Sequence, residues 1–148
     1  MNDKTLNLVW VWYGRPAVIL TLVIATAMLA VALRYKSSGI PASQAVRAII
    51  GEASGEGWPG MLAVACALRN RGTLKGVYGL KAAHVDREQG HVWQMAKLAW
   101  SQSAWVDVTH GADHWHNVKR EGENYWTKAM VKTDEVGSHA FYKKRGQK

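Results

Sequence analysis

Glu52 and Glu56 stand four residues apart in the stretch Gly51-Glu52-Ala53-Ser54-Gly55-Glu56-Gly57, with an apolar segment on either side. The interleaved glycines forbid one continuous helix, so the pair falls at a break between two helices. The carbonyl end of a helix disfavours a carboxylate and the amide end favours one, each by roughly 0.3–1 kcal/mol. Glu52, at the end of the first helix, is expected to be pushed toward its protonated form. Glu56, just before the second, is expected to stay ionised. Carboxyl pairs driven apart in this way supply the acid and the base of glycoside cleavage. The same spacing also fits two solvated turn residues.

A second group able to do chemistry is His110, His114 and His116, with Asp113 among them. Gly111 and the expected strand over 113–117 argue against a helical ligand face there. On a strand His114 and His116 share a face, which a metal site could use, and histidines lining a polar cleft fit equally well. No metal ligand and no cofactor is assigned. The single cysteine, Cys66, excludes an intramolecular disulfide and any cysteine-based zinc site. Its apolar surroundings, Ala63 to Leu68, make it a buried core residue.

The elements that must position these groups follow from apolar periodicity. A helix is expected over 41–50, with Ser43 as its cap and Val46, Ile49 and Ile50 on one face. Pro59 opens a second helix, over 60–71. Residues 72–79 hold Gly72, Gly76 and Gly79 and form a loop. A third helix over 91–103 turns Val92, Met95, Ala96, Ala99 and Trp100 inward. Residues 106–118 read as loop followed by strand, 124–130 as a short helix, and 131–136 with 139–143 as a hairpin around Gly137-Ser138. The fold class is α+β, mainly helical with a small antiparallel sheet.

Lysine and arginine outnumber acids 19 to 11, a net charge of +8. Anionic partners are favoured, and nucleic acid, anionic lipid and cell-wall polymer all qualify on charge alone. No helix carries the clustered basic face of a DNA reader, so nucleic acid is not assigned as a partner. Residues 17–33 carry no charge and lie between Arg15 and Arg34. As a helix they would span about 25 Å, the low end for a bilayer. Trp10, Trp12 and Tyr13 precede the run, where interfacial aromatics belong. Ala30-Val31-Ala32 also fits a signal-peptidase site, so an anchor and a cleaved signal stay open. Residues 1–36 are thus a membrane or export segment, and the breaker cluster Ser37-Ser38-Gly39-Ile40-Pro41 starts a separate domain over 37–148.

The segment Ile50-Gly51-Glu52-Ala53-Ser54-Gly55-Glu56-Gly57, continuing to Asn70-Arg71, resembles the opening motif of the SleB/CwlJ-type cell-wall hydrolases. Two later segments match in order. Asp107 to Asn117 resembles the family's DPT-x-GA stretch with its aromatic and asparagine, and Val136 to Tyr142 resembles its closing GNHxFY. The match covers about 46–143. It departs at Ser54, Val108 and Ser138, where the family commonly has Arg, Pro and Asn.

This resemblance implies a lysozyme-like, lytic-transglycosylase-like fold with Glu52 as the catalytic acid/base. It implies that Glu56, Asn70, Arg71, Gly111, Ala112, His114, Trp115, Asn117, His139 and Tyr142 line or support a substrate cleft. Among the eight tryptophans, Trp93 and Trp100 are expected in the core. Trp58, Trp115 and Tyr142 are the candidates for stacking on sugar rings. The expected function is a monomeric peptidoglycan glycosidase, most simply a lytic transglycosylase cutting the MurNAc-GlcNAc bond, exported or tethered to the inner membrane and facing the wall. A phage lysis role fits its small size. The rivals are a zinc-dependent wall amidase or peptidase using the histidines, and a non-catalytic, membrane-tethered binder of anionic polymer.

Overall fold

The computed structural model describes residues 18–29 and 35–146. The chain divides between Tyr35 and Lys36 into two units. In the first, residues 18–29 are helical and their apolar side chains are exposed, Met28 at 70%. The hydroxyl of Thr26 bonds back to the carbonyls of Leu22 and Val23, both at 2.9 Å, which satisfies it within the helix. Among the described residues no helix is long and apolar enough to cross a membrane. The aromatics Trp10, Trp12 and Tyr13, residues 17 and 30–34, and with them the expected cleavage site at Ala30-Val31-Ala32, lie outside the described residues.

The second unit is built on three helices, α1 (Ala42–Ala53), α2 (Gly57–Arg71) and α3 (Gly90–Gln102). Ala45, Val46, Ile49, Ile50 and Ala53 form the buried stripe of α1, at the spacing of a helical face. Ser43 does not cap this helix. Pro41 takes the cap position, no side chain bonds the first turn, and the helix runs past Ile50 to include Glu52. A 3-10 turn, Ser54–Glu56, makes the break that the glycines demand. Glu56 then occupies the cap position of α2, which begins at Gly57 and places Pro59 in its first turn.

Helix α2 is buried almost all round, from Gly60 to Arg69, because small residues at Ala63, Ala65 and Ala67 let neighbours approach from every side. Cys66 is 1% exposed, and burial pushes its thiol up to about 11. Arg69 is buried too. Its guanidinium donates to Ser103 Oγ at 2.9 Å, Lys36 O at 2.8 Å and Trp100 O at 2.7 Å, and lies 3.9 Å from the Trp100 ring centre. These bonds tie α2 to the end of α3 and satisfy a cation that burial would otherwise penalise. On α3, Val92, Ala96, Ala99 and Trp100 are buried, and Trp93 and Met95 are half-buried against the core.

A three-stranded antiparallel sheet of β1 (His114–Asn117), β2 (Met130–Val136) and β3 (His139–Lys144) completes the unit, in the order β1-β3-β2. Between β1 and β2 run a single-turn helix, α4 (Val118–Glu121), and a 3-10 helix, Tyr125–Ala129, where a short helix is expected over 124–130. Partnered residues of antiparallel strands share a face. The pairs Trp115 with Phe141 and Asn117 with His139 therefore lie on one face, and His114 with Tyr142 and His116 with Ala140 on the other. Phe141 is fully buried in the core formed with the helices, which identifies the first of these as the helix-facing side.

Candidate active site

Glu52 sits in the last turn of α1, where Gly51 lets another stretch of backbone come close. A Cβ added at Gly51 would overlap the carbonyl of Gly79, so only glycine permits this approach. In return, the N–H of Gly79 donates to Glu52 Oε1 at 2.6 Å. The indole N–H of Trp115 donates to Oε2 at 3.2 Å from the helix-facing side of β1. Both carboxyl oxygens are thereby held, one by backbone 27 residues on and one by a side chain 63 residues on.

Around this carboxyl opens a cleft of about 680 Å³. Arg71, Tyr78, His84, His114, Trp115, His116, Asn117, Trp126 and His139 line it with Glu52. Its volume lies within the range of small-molecule sites. The Arg71 guanidinium bonds Lys75 O at 2.7 Å and stands 5.9 Å from the Trp115 ring centre. Trp126 lies against the outer face of the sheet, 5.9 Å from His114, 5.8 Å from His116 and 5.5 Å from Tyr142, the last two edge-on. Tyr78 is 87% exposed on the wall that carries Gly79.

Of the residues expected at the cleft, the structure brings together Glu52, Arg71, His114, Trp115, Asn117 and His139, and does not bring Glu56, Asn70, Gly111, Ala112 or Tyr142 to its lining. Glu56 is held by the hairpin turn instead. Its Oε2 accepts the Ser138 N–H at 3.0 Å and its Oε1 accepts the Ser138 hydroxyl. The Ser138 hydroxyl is the chief cause of a Glu56 pKa below the ordinary carboxylate value. Gly137, at φ 64°, makes room for this carboxyl, since a Cβ there would overlap Glu56 Oε2.

Asn70 works under the following loop. Its amide donates to Asp107 Oδ2 at 3.0 Å and to Ala112 O at 2.9 Å, and its oxygen accepts from Lys36 Nζ. Burial raises the Asp107 carboxyl, but bonds from Thr109, Asn70 and Gly111 outweigh it and leave the pKa lowered. Gly111, at φ 83°, donates to Asp107, and Ala112 is fully buried. These residues fix the loop that leads into β1. Tyr142 is 7% exposed beneath Trp126, Trp58 packs half-buried against the core, and neither lines the cleft. Trp126 and Tyr78, which the sequence reading passed over, hold the open aromatic positions.

The histidines disperse. His110 is exposed and lies 3.8 Å from Asp134. His114 Nδ1 donates to Asp113 at 2.7 Å, while His116 Nε2 donates to Gly122 O at 2.7 Å and its Nδ1 is 3.3 Å from Glu121. Asn117, besides lining the cleft, caps α4 by accepting the Arg120 N–H at 2.9 Å. Among the described residues no three or more His, Cys, Asp or Glu are grouped so as to hold a metal ion.

No protein-family model matches this chain, and no curated protein does. Solved structures do. The catalytic domain of Bacillus cereus SleB superposes with a TM-score of 0.54 at 22% identity, over 69% of this chain and 88% of that domain. The catalytic domain of the germination-specific lytic transglycosylase SleB from Bacillus anthracis gives a TM-score of 0.53 at 23% identity, over 72% of this chain and 99% of that one. The second unit therefore has the fold of the SleB catalytic domain.

Proposed function

We propose that this chain, carrying the SleB catalytic fold, is a peptidoglycan-cleaving glycosidase, a lytic transglycosylase that cuts the MurNAc-GlcNAc bond with Glu52 as its one acid/base. The observation that carries this reading is the fixed Glu52 carboxyl in a cleft whose other lining carboxylate, Glu121, faces His116. Glu56, the nearest carboxylate in the sequence motif, is occupied by Ser138.

Hydrolysis by two carboxylates needs a second group about 5–5.5 Å away as nucleophile or about 6.5–9.5 Å away to activate water. A lone acid can finish the reaction another way. The protonated carboxyl of Glu52 gives its proton to the glycosidic oxygen, and the bond from that oxygen to the muramic C1 breaks. The ionised carboxylate then takes the proton of the sugar's own 6-hydroxyl as that oxygen closes on C1. The nucleophile is already attached to the substrate, so no activated water is required. Trp115 and Gly79 hold the carboxyl in place through both steps, and Trp126 and Tyr78 offer apolar rings for the glycan.

Digestion of purified sacculi by the full chain, with mass analysis of the muropeptides, tests this. Anhydro products should appear about 18 Da below hydrolysed ones, the mass of the water not consumed. Glu52→Gln should lower the rate about 10²–10⁴-fold with an unchanged circular dichroism spectrum. Exclusively reducing-end products would refute the transglycosylase step. Loss of activity with a chelator, restored by zinc, would favour the amidase reading. The uncharged run at 17–33 supports delivery of this activity across a membrane, either tethered or released, and a lysis role rests on the same run. Fractionation of expressing cells tests the placement, and sedimentation tests the proposed monomer.

A further inference from the structure

His139 is 4% exposed, and its Nδ1 is buried with no hydrogen-bond partner, 3.9 Å from Glu56 Oε1. The same ring lines the Glu52 cleft from the helix-facing side of β3. One edge of the imidazole is thus turned to Glu56, and the other, carrying Nε2, is the edge left for the cleft. Burial holds the ring's pKa below its ordinary value, against the opposing pull of Glu56 and Glu52.

A neutral imidazole carries one proton, and its position decides what each edge can do. Glu56 is fixed by Ser138 with an acceptor oxygen facing Nδ1, and a carboxylate can only accept. The proton therefore belongs on Nδ1, where a small closure makes a hydrogen bond to Glu56. Nε2 is then a bare lone pair facing the cleft.

We infer that His139 is a substrate-orienting hydrogen-bond acceptor, its Nε2 receiving a hydroxyl or acetamido N–H of the glycan, with Glu56 acting behind it as the positioning residue that sets the tautomer. The inference rests on the glycosidase reading, and it gives Glu56 a role the sequence pairing of the two glutamates does not. The carboxylate acts on the substrate through the ring and exchanges no proton with it. Glu52 remains the acid/base.

Isosteric substitutions separate this role from a clamp. Glutamine places its terminal amide near the position of Nε2, and asparagine near Nδ1. In sacculus digestion, His139→Asn should have a KM about 10-fold above that of His139→Gln, the worth of one hydrogen bond near the upper end of its range. A His139→Asn chain at wild-type KM would overturn the inference, because bonding to Glu56 alone would then suffice. Nitrogen-15 spectra of the Glu52→Gln full chain give a readout independent of how the His139 variants fold. Nε2 of His139 should be unprotonated, should shift when a GlcNAc-MurNAc tetrasaccharide is added, and should gain a proton in the Glu52→Gln, Glu56→Gln double variant, whose amide can donate to Nδ1. A protonated Nε2 in the Glu52→Gln chain, or one unmoved while the tetrasaccharide binds, would overturn it. If the wild-type chain cleaves sacculi and these shifts fail, only this inference falls; if it neither binds nor cleaves glycan, the glycosidase reading falls with it.

Discussion

The indole nitrogen of Trp115 stands 3.2 Å from Oε2 of Glu52, so the tryptophan that sequence reading offers as a sugar platform is also a ligand of the proposed acid. The two roles separate experimentally. Trp115→Phe keeps an aromatic face, though a smaller one, and removes the N–H. A hydrogen bond to a carboxyl group contributes about 1.5–3 kcal/mol when it is charge-assisted. We expect kcat on sacculi to fall about 10-fold or more while KM changes little, as steady-state kinetics will read. A KM effect alone would make Trp115 a stacking residue and nothing else.

Gly51 gives a steric prediction. Its α-hydrogen faces the Gly79 carbonyl, and the N–H of the same Gly79 residue holds Glu52 Oε1. Gly51→Ala must push the 79 segment away from the carboxyl. Displacements of about 1 Å at a catalytic group can cost about 10²-fold in rate, and overpacking costs about 1–3 kcal/mol in stability. Thermal melting and the sacculus assay together should show both losses, with Gly55→Ala, where nothing lies within 4 Å, as the tolerated control.

Acid should loosen the hairpin turn from α2. Ser138 lowers the Glu56 pKa in the folded state. A lowered carboxyl pKa contributes stability that is fully present above the unfolded value, about 4.3, and is lost as pH falls through the folded one. Ser138→Ala should therefore destabilise the protein by about 1–2 kcal/mol at pH 7 and by progressively less as the pH falls below about 4. Melting temperatures of the two proteins, measured from pH 7 to pH 3, should converge at the acid end.

The helices and the hairpin were legible because their signals are local. Apolar spacing marks 45–53 and 92–100, and Gly137-Ser138 marks the turn between β2 and β3. Glu52 was reachable through the carboxylate motif and its resemblance. Gly79 was not, because a backbone N–H has no residue type to announce it and its partner lies 27 positions away. Trp126 was passed over for a similar reason: only the strand register brings it over His114, His116 and Tyr142. Asn70, Gly111 and Ala112 travel with the cleft in the motif, yet their chemistry is spent on the loop around Asp107. Ser43 failed as a cap because Pro41 already sets the first turn.

Cys66 should be inert in the folded chain. Its thiol is buried, donates to Val106 O at 3.4 Å and has its pKa raised to about 11, so little thiolate exists at neutral pH. Thiol reagents at pH 7.5 should label it only on unfolding in denaturant, and sacculus activity should be unaffected by alkylating agents. Rapid labelling without denaturant would show that α2 opens locally.

The partners of the two glutamates lie far along the chain: Gly79 and Trp115 for Glu52, and Ser138, 82 residues on, for Glu56. Contacts of such long sequence separation form late, because loop closure costs entropy before the contact repays it. Helices α1 to α3 and the segment carrying Gly79 can collapse on one another first, since their contacts are closer in sequence than those to Trp115 and Ser138. A chain stopped at that stage would have Glu52 in place with Gly79 on Oε1 and with Oε2 unheld. On the proposed function, cleavage would then become possible only once the sheet has docked on the helices and brought Trp115 to Glu52.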